Sequence, residues 1–447
     1  SGSYSLIPLT LNSCHYYYIQ KNSNMRGMTT LLIFILIFGW KVYGYFDISA
    51  ITAGILASIY LYGKFKDTNP EERLRLFPIK CLYCLTIYSC IVGVFTSFND
   101  IQIILRSFRV LVMLIASLWI YDSYKEKGKE PSLAIAIDVF VSLLLHGIIM
   151  LLMYCFDSLR THIYSITDAF SYINLSSPFL DGLRISGLTY GLSQTSVLQL
   201  FGILLIPAVV QQYSSKIKRF LIILTLPLLF VSMLISGRSG LFIGLLMVPV
   251  ALWYFSRNFS IKKVCMSSVG VILLGLVVFS CCAVNLLPEK LTNYTFNTNK
   301  EVFDALVFQG FTVNHLVDNM FFLPDTVFDC IFGCGNLGRT DYDYIESDVG
   351  YVRSIYAVGI LGTVLTILPY LWGIYIYWKK RNQNETLAFA AIAIFLASLI
   401  LNFKELALLT RNQWTIQALL LVSCSFDNKK ENSELFGLAN KTPGETK

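Results

Sequence analysis

Long uninterrupted apolar runs constrain the fold of this chain more than any other feature of its sequence. Residues 29–40 read TTLLIFILIFGW and residues 361–378 read LGTVLTILPYLWGIYIYW. Only 14% of the residues are charged, against about a quarter in soluble globular proteins. Such runs predict membrane-spanning segments of about 20 residues each. Because the apolar residues are continuous and do not alternate with polar ones, we expect helices and not the strands of a membrane barrel.

The hydropathy pattern predicts an all-α polytopic membrane protein with about twelve transmembrane helices and two large external loops. We expect a segment 1–28, whose opening SGS looks like a cloning scar, then a single transmembrane domain over 29–426, then a tail over 427–447. The two large loops cover residues 157–189 and 285–348. The spans are predicted near residues 29–46, 48–63, 77–98, 101–121, 133–156, 190–212, 219–236, 239–256, 264–284, 349–378, 386–403 and 411–426.

Lysine and arginine mark one set of the connecting segments. Basic clusters such as KEKGKE, SSKIKR and WKKRNQNE occur in alternate connections. Cytoplasmic loops of membrane proteins carry this excess of basic residues. The alternation therefore predicts that both termini are cytoplasmic and that both large loops are external. Since the same clusters explain the net charge of +7, that charge does not predict nucleic-acid binding.

A second group of basic residues breaks this pattern, because several of its members lie at the outer ends of spans. Arg184 precedes the sixth span, Arg238 lies in the hairpin after the seventh, and Arg353 lies about 7.5 Å into the tenth. Charges at such depths usually face a partner or a cavity, unless each side chain reaches the lipid headgroups. Guanidinium groups pair well with phosphate oxygens. We therefore expect an outward-facing cavity for a strongly anionic group, with these candidate binding residues: Arg184, Arg353, Arg238, Arg339, Lys404 and Arg106.

Acidic residues and histidines supply the candidates for proton transfer. Asp348 stands where the tenth span begins, so it is either a general base or only a helix N-cap. His315, in the second large loop, is another candidate general base. His146, within VSLLLHGIIM, is expected to be a packed polar residue of the bundle. Asp341 and Asp343 form a short DxD pair, but the sequence predicts no metal site.

Three stretches of the chain resemble one family in their order, spacing and topology. They are RISGLTYGLSQTS, ISGRSGLFIGLL and IFGCGNLGRTDYDYIESDVGYVRSIYAVGILG. Together they resemble the bacterial O-antigen polymerase (Wzy) family and look like the related O-antigen ligases. The similarity extends over roughly residues 180 to 410, and the first four spans match only in being hydrophobic.

The resemblance implies a polytopic glycosyltransferase in the inner membrane of a Gram-negative bacterium. Such an enzyme works on the periplasmic side and transfers a growing glycan from undecaprenyl diphosphate onto another lipid-linked repeat unit, as part of lipopolysaccharide biosynthesis. The implied partners are undecaprenyl-diphosphate-linked oligosaccharides, membrane lipid and a chain-length regulator protein, without nucleic acid. The resemblance implies no cofactor and a metal-independent reaction.

The resemblance also assigns roles to arginines of the two large loops. The matching positions are Arg184 in the first loop, and Arg339 and Arg353 at the end of the second. Arg339 and Gly350 fit an arginine-ten-residues-glycine pattern that some members carry. The first loop departs from that pattern, because Thr195 stands where the glycine is expected.

One position distinguishes a polymerase from a ligase. The ligases carry a His-Asn pair before the helix that leads to Gly-x-x-Gly, here Gly359 and Gly362. Counting back from these glycines places Asp348 and Val349 at the pair. The missing histidine favours a polymerase, and it suggests that Asp348 orients or deprotonates the acceptor hydroxyl. The alternatives are an O-antigen ligase and a lipid-linked oligosaccharide flippase, although flippases more often show two similar halves and short loops.

The predicted topology is tested with alkaline phosphatase, which folds into an active enzyme only in an oxidising compartment. A fusion after residue 170 is expected to be active, because that residue lies in the first external loop. A fusion after residue 128, in the predicted cytoplasmic segment KEKGKE, is the control and is expected to be inactive. The reverse pattern of activity would overturn the map.

Overall fold

The described part of this chain is an assembly of apolar helices. The structure is a computed structural model, in which 79% of the described residues are helical. Arg339, His315, the DxD pair, the ninth predicted span and most of the second large loop lie outside the described residues. The structure describes residues 27–42, 46–66, 76–98, 100–126, 130–167, 184–189, 191–247, 318–338 and 345–426.

The bounds of the elements follow the apolar runs of the sequence. A two-stranded antiparallel hairpin joins the first two helices and consists of β1 (Lys41–Val42) and β2 (Phe46–Asp47). The helices in chain order are α1 (Gly27–Phe38), α2 (Ile48–Lys66), α3 (Phe77–Phe95), α4 (Gln102–Lys125), α5 (Pro131–Cys155), α6 (Asp157–Thr167), α7 (Leu192–Gln212), α8 (Lys216–Leu224), α9 (Leu226–Ser236), α10 (239–247), α11 (Val327–Phe332), α12 (Gly350–Lys379), α13 (Glu385–Leu401) and α14 (Arg411–Phe426).

Six of the described helical segments are long and apolar enough to cross a membrane. They are α3, α4, α5, α7, α8 together with α9, and α12. α1, α13 and the apolar part of α2 are shorter apolar helices. The expectation of a helical membrane protein is therefore confirmed, whereas twelve spans and the side of each loop stay predictions.

The predicted C-terminal end of the first span, 29–46, is wrong. α1 ends at Phe38, and the hairpin follows it. A Cβ atom at Gly39 would lie only 2.7 Å from the backbone nitrogen of Ser49. The chain turns here because glycine permits this close approach to α2, a property that a hydropathy pattern does not register.

A shielded ion pair fastens the hairpin to the bundle. Arg411 Nη1 lies 2.6 Å from Asp47 Oδ1, and Arg109 Nη1 lies 3.7 Å from Asp47 Oδ2. The side chain of Arg411 is only 6% exposed. Because removing one partner of a buried pair leaves an uncompensated charge, this contact fixes β2 against α4 and α14.

Contacts between loops divide the bundle into two ends. At one end Arg411 meets Asp47, and the backbone N–H of Leu337 donates to Asp100 Oδ2 at 3.0 Å. We call this the arginine end, because the loops with Arg184 and Arg238 join it as well. At the opposite end Lys380 Nζ donates to the carbonyl of Cys424 at 2.7 Å, and Thr386 donates to Gln211 at 2.6 Å. The basic connections KEKGKE, SSKIKR and WKKRNQNE adjoin this opposite end of the helices.

α12 is broken inside its apolar run. Gly359 has φ 63° and ψ −175°, which is not a helical conformation. The break leaves the carbonyl of Tyr356 to accept a hydrogen bond from the backbone N–H of Cys334 at 2.8 Å. A Cβ at Gly359 would lie 2.2 Å from the carbonyl oxygen of Ile331. The first glycine of the Gly-x-x-Gly pattern therefore docks α11 and the following loop directly onto α12.

The docking at Gly359 predicts a large effect of an added methyl group. Gly359→Ala is expected to lower stability by about 2–4 kcal/mol, because it combines an unfavourable φ with a backbone clash. Thermal melting of the detergent-purified protein measures the effect.

Gly54→Ala is the matched control, since a Cβ there meets nothing within 4 Å. It is expected to leave the melting temperature unchanged or to raise it, because alanine favours the helix by about 1 kcal/mol. Equal melting temperatures for the two variants would contradict the docking.

Candidate functional site

Loops that are far apart in sequence are joined at the arginine end. Ile185 donates its backbone N–H to the carbonyl of Ile235 at 3.0 Å, which ties the Arg184 loop to the end of α9. Gln194 Nε2 donates to the carbonyl of Leu406 at 3.1 Å. Lys404 Nζ donates to Ser239 Oγ at 3.0 Å. The loops before α7, before α10 and before α14 therefore form one continuous surface.

A buried histidine of α5 holds the loop 184–189 by a hydrogen bond from inside the bundle. His146 is fully buried in α5, and its Nε2 accepts a hydrogen bond from the backbone N–H of Leu188 at 3.1 Å. Gly187 has φ 62°, and a Cβ there would lie 2.5 Å from the same ring nitrogen. Ser186 donates its N–H to the hydroxyl oxygen of Tyr164 in α6 at 3.2 Å. The expected packed polar role of His146 is thus to fix the loop that carries Arg184.

The hydrogen bonds of His146 define its tautomer. Because Nε2 accepts from Leu188, Nδ1 carries the proton in the neutral ring and must donate. The carboxamide nitrogen of Gln199 is placed 2.9 Å from Nδ1, and its oxygen is 3.1 Å from Ser232 Oγ. When the carboxamide of Gln199 is turned by 180°, its oxygen and nitrogen exchange places, and the oxygen accepts the hydrogen bond from Nδ1–H. Ser232 Oγ then accepts from Gln199 and donates to the carbonyl of Leu229 at 2.9 Å, so the chain of hydrogen bonds is complete.

Thr195 stabilises the same loop from the first turns of α7. Its hydroxyl makes a short hydrogen bond with the hydroxyl of Thr189, which donates to the carbonyl of Ser186 at 2.8 Å. A glycine at this position would lack the hydroxyl. Thr195 therefore contributes a polar contact to the loop that carries Arg184.

The loop 402–410 is shaped by the buried amide of Asn402. Its Oδ1 accepts the backbone N–H groups of Ala407 at 3.0 Å and of Leu408 at 3.1 Å. A Cβ at Gly350 would lie 2.2 Å from this oxygen. Position 350 therefore requires glycine, because only glycine lets α12 begin against Asn402.

A group of charged side chains surrounds Lys404. Its side chain reaches solvent. Burial lowers the pKa of Lys404 below its ordinary value, and Glu405 opposes this change. Arg238 and Arg184 lower the pKa further by their positive charge, and Asp348 raises it. These effects place Arg184, Arg238, Asp348 and Glu405 within electrostatic range of Lys404.

We call these five residues the arginine-end cluster: Arg184, Arg238, Asp348, Lys404 and Glu405. Three of its members are cations and two are carboxylates. The guanidinium and ammonium groups are donors suited to phosphate oxygens. Among the described residues, no group of three or more His, Cys, Asp or Glu side chains has the arrangement of a metal site.

Arg353 lies in the first turn of α12 and contacts a neighbouring loop. It is 8% exposed, and its Nε and Nη2 donate to the carbonyls of Leu337 at 2.9 Å and of Gly338 at 3.2 Å. Two of its donor groups therefore hold the loop that follows α11. Arg106 is half-buried in α4, and neither arginine is among the described charges that act on Lys404.

Asp348 is not the N-cap of α12. The cap position is Val349, which has no side-chain hydrogen bond to the helix. Ser347 Oγ accepts the backbone N–H of Val349 at 3.1 Å and donates to the carbonyl of Met320 at 2.7 Å. The interpretation of Asp348 as the N-cap is therefore wrong, and its side chain is exposed to solvent.

Two contributing residues escaped the sequence reasoning. Gln199 is a fully buried amide inside an apolar span, and such residues mark polar contacts between helices. Its position could have been found from that rule. Ser239 follows Arg238 in a short hairpin, and no local pattern indicates that Lys404 reaches it.

No protein-family model matches this chain, and neither a curated protein nor a solved structure matches it.

Because the Nε2 atom of His146 accepts a hydrogen bond from Leu188, replacing this histidine is expected to lower the stability of the protein. His146→Phe keeps a ring that can stack on Phe38, whose centroid lies 4.1 Å away, but leaves the N–H of Leu188 without an acceptor. An unsatisfied buried donor costs about 1–3 kcal/mol. The variant should melt several degrees below the wild type in detergent.

His162→Phe is the matched control, because His162 is exposed on α6. It is expected to melt with the wild type. If both variants shift equally, the hydrogen bond to Leu188 does not hold the loop.

Proposed function

We propose that this chain is an O-antigen polymerase. It transfers a growing glycan from undecaprenyl diphosphate onto another undecaprenyl-diphosphate-linked repeat unit at the periplasmic face of the inner membrane. The observation that supports the proposal is that hydrogen bonds join the three loops that carry Arg184, Arg238 and Lys404 at one end of the bundle. Two of the three stretches that resemble the family supply these arginines, and the third supplies Asp348.

The cations stabilise the departing diphosphate. In the transfer the bond between the anomeric carbon and the diphosphate oxygen breaks, and undecaprenyl diphosphate leaves with the bonding electrons. A new bond forms between that carbon and the acceptor hydroxyl oxygen. Arg184, Arg238 and Lys404 offset the negative charge that develops on the leaving group, which is the usual role of fixed cations in transfer reactions.

Asp348 accepts the proton of the acceptor hydroxyl. A general base must lie within hydrogen-bond reach of the group that it deprotonates. The carboxylate of Asp348 is exposed to solvent and lies within electrostatic range of Lys404, so an acceptor sugar can approach it beside the bound diphosphate. This role agrees with the position that the related ligases give to a histidine.

The remaining candidate residues receive separate roles. Arg353 supports the reaction through the loop 333–338, to which it donates two hydrogen bonds. Arg339 and His315, outside the described residues, are proposed for diphosphate binding and for proton transfer. Both termini are proposed to be cytoplasmic, and a chain-length regulator protein is the proposed partner at the periplasmic face.

The proposal predicts the loss of polymer when either cluster arginine is removed. Arg184→Ala and Arg238→Ala are each expected to reduce polymerisation about 100-fold or more, since a donor to developing charge contributes about 3–4 kcal/mol. In a deletion strain, gels of lipopolysaccharide are expected to show core with a single repeat unit instead of a ladder, at wild-type levels of membrane protein.

Arg160→Ala is the matched control, because Arg160 lies in α6 near the same end and pairs with Asp157 at 2.9 Å. It is expected to restore the full ladder. Wild-type ladders from both cluster variants would refute the diphosphate assignment. Uncapped core with polymer on the lipid carrier would identify a ligase, and repeat units retained inside would identify a flippase.

A further inference from the structure

Three basic residues lie around a single carboxylate where the hairpin meets the bundle. Arg411 Nη1 approaches Asp47 from α14 at 2.6 Å, and Arg109 Nη1 approaches it from α4 at 3.7 Å. Lys41 stands directly opposite Asp47 in the antiparallel hairpin, so the two side chains lie on the same face of the ladder. Asp47 can offset only one of these three positive charges.

The carboxylate of Asp47 serves Arg411 better than it serves Arg109. Its Oδ1 accepts hydrogen bonds from Arg411 and from the backbone N–H of Ala50 at 3.1 Å. The contact with Arg109 is longer than a hydrogen bond. Within the described part of the chain, no hydrogen bond engages the side chain of Arg109 or of Lys41. The guanidinium of Arg109, whose side chain is 32% exposed, therefore presents its donors to a further partner.

The charges of the neighbouring α6 do not remove this excess. α6 packs against β1, and its Arg160 Nη2 lies 2.9 Å from its own Asp157 Oδ1. These two residues form an ion pair without net charge. Two positive charges near Asp47 are thus left for an anionic ligand.

The depth of Arg109 in the bundle also favours an anionic partner. Arg109 follows the first residue of α4, Gln102, by seven residues, which corresponds to about 10 Å of helix. A cation at such a depth in a membrane normally faces a charged partner or a cavity. Because Asp47 is shared with Arg411, it meets this requirement only in part.

A row of exposed apolar side chains begins at the same place. α2 starts directly after Asp47, and Ile51, Ile55 and Ile59 recur at every fourth position along it. Their exposed fractions are 49%, 55% and 50%. In a bilayer, such a row contacts hydrocarbon chains. Cations at the head of this row are complementary to a molecule that carries a phosphate beside its hydrocarbon chains, whereas a soluble anion would leave the row unused.

We propose that Lys41, Arg109 and Arg411 form a second anion site, which binds the phosphate group of a bilayer phospholipid. Arg109 donates to the phosphate oxygens, for which the guanidinium fork is well suited. Lys41 and the buried Arg411 add positive charge. The site lies outside the proposed transfer reaction, because none of its residues belongs to the arginine-end cluster. Lys41 and Arg109 also precede the part of the chain that resembles the polymerases.

The probe for this site is dioleoylphosphatidylglycerol, added in increasing amounts to the full chain in detergent micelles while thermal unfolding is followed. Because binding to the folded state raises the melting temperature, the lipid concentration at half of the full shift measures the affinity. Two related compounds are expected to give no shift at the same concentrations. Dioleoylglycerol has the chains without the phosphate, and glycerol phosphate has the phosphate without the chains. An equal shift with either compound would overturn the phospholipid assignment.

Arg109→Gln is expected to raise the half-saturating lipid concentration about tenfold, because a hydrogen bond to a charged group is lost. Lys41→Gln, at an exposed position, is expected to raise it by a smaller factor and repeats the test if Arg109→Gln destabilises the protein. Lys80→Gln is the matched control, because it removes one positive charge from an exposed position at the start of α3. It is expected to respond as the wild type. Equal responses of all three variants would refute the site.

Arg184→Ala separates this site from the proposed function. It is expected to lose the polymer ladder and to keep the response to phosphatidylglycerol. If Arg184→Ala loses the response while Arg109→Gln keeps it, the phospholipid binds at the arginine-end cluster and the second site is wrong. If Arg184→Ala keeps both the ladder and the response, and Arg109→Gln loses the response, the polymerase proposal fails and the second site stands.

Discussion

The hydrogen bond between the N–H of Leu188 and the imidazole of His146 determines where the cluster forms. A loop that dips into an apolar bundle exposes backbone donors that neither lipid nor apolar side chains can satisfy. His146 supplies the acceptor from α5, and Gln199 and Ser232 fix its tautomer from α7 and α9. Further hydrogen bonds, from Ile185 to Ile235, from Ser186 to Tyr164 and between Thr189 and Thr195, hold the same loop.

A buried polar side chain also shapes the loop that carries Lys404. Asn402 accepts two backbone N–H groups of its own loop, and Gly350 leaves space for its side chain. In both loops a buried polar side chain defines the backbone, and the charged residue is presented beside it. Fixed cations stabilise developing charge better than mobile ones, because they need no reorganisation during the reaction. The proposed chemistry therefore depends on the polar residues beneath the cluster as well as on its charges.

The positions of most described helices were predictable from hydropathy, since the membrane requires long apolar segments. The convergence of Arg184, Arg238 and Lys404 was suggested by charges at the outer ends of spans, although their mutual contacts were not. The sequence could not indicate the end of α1 or the break at Gly359, because both depend on close approach between distant parts of the backbone. The partners of Arg353 were not predictable for the same reason, because Leu337 and Gly338 belong to another loop.

The break at Gly359 divides α12 into two pieces with different contacts. Residues 350–358 are bonded to the chain before them through Arg353, through Tyr356 and through the backbone of Cys334. α12 packs with α3 and α13, and the hydroxyl of Tyr351 in its first piece donates to the carbonyl of Leu399. The first piece is therefore held both by the bundle and by the loop that follows α11. A change in that loop would reach the start of α12 through the two hydrogen bonds of Arg353.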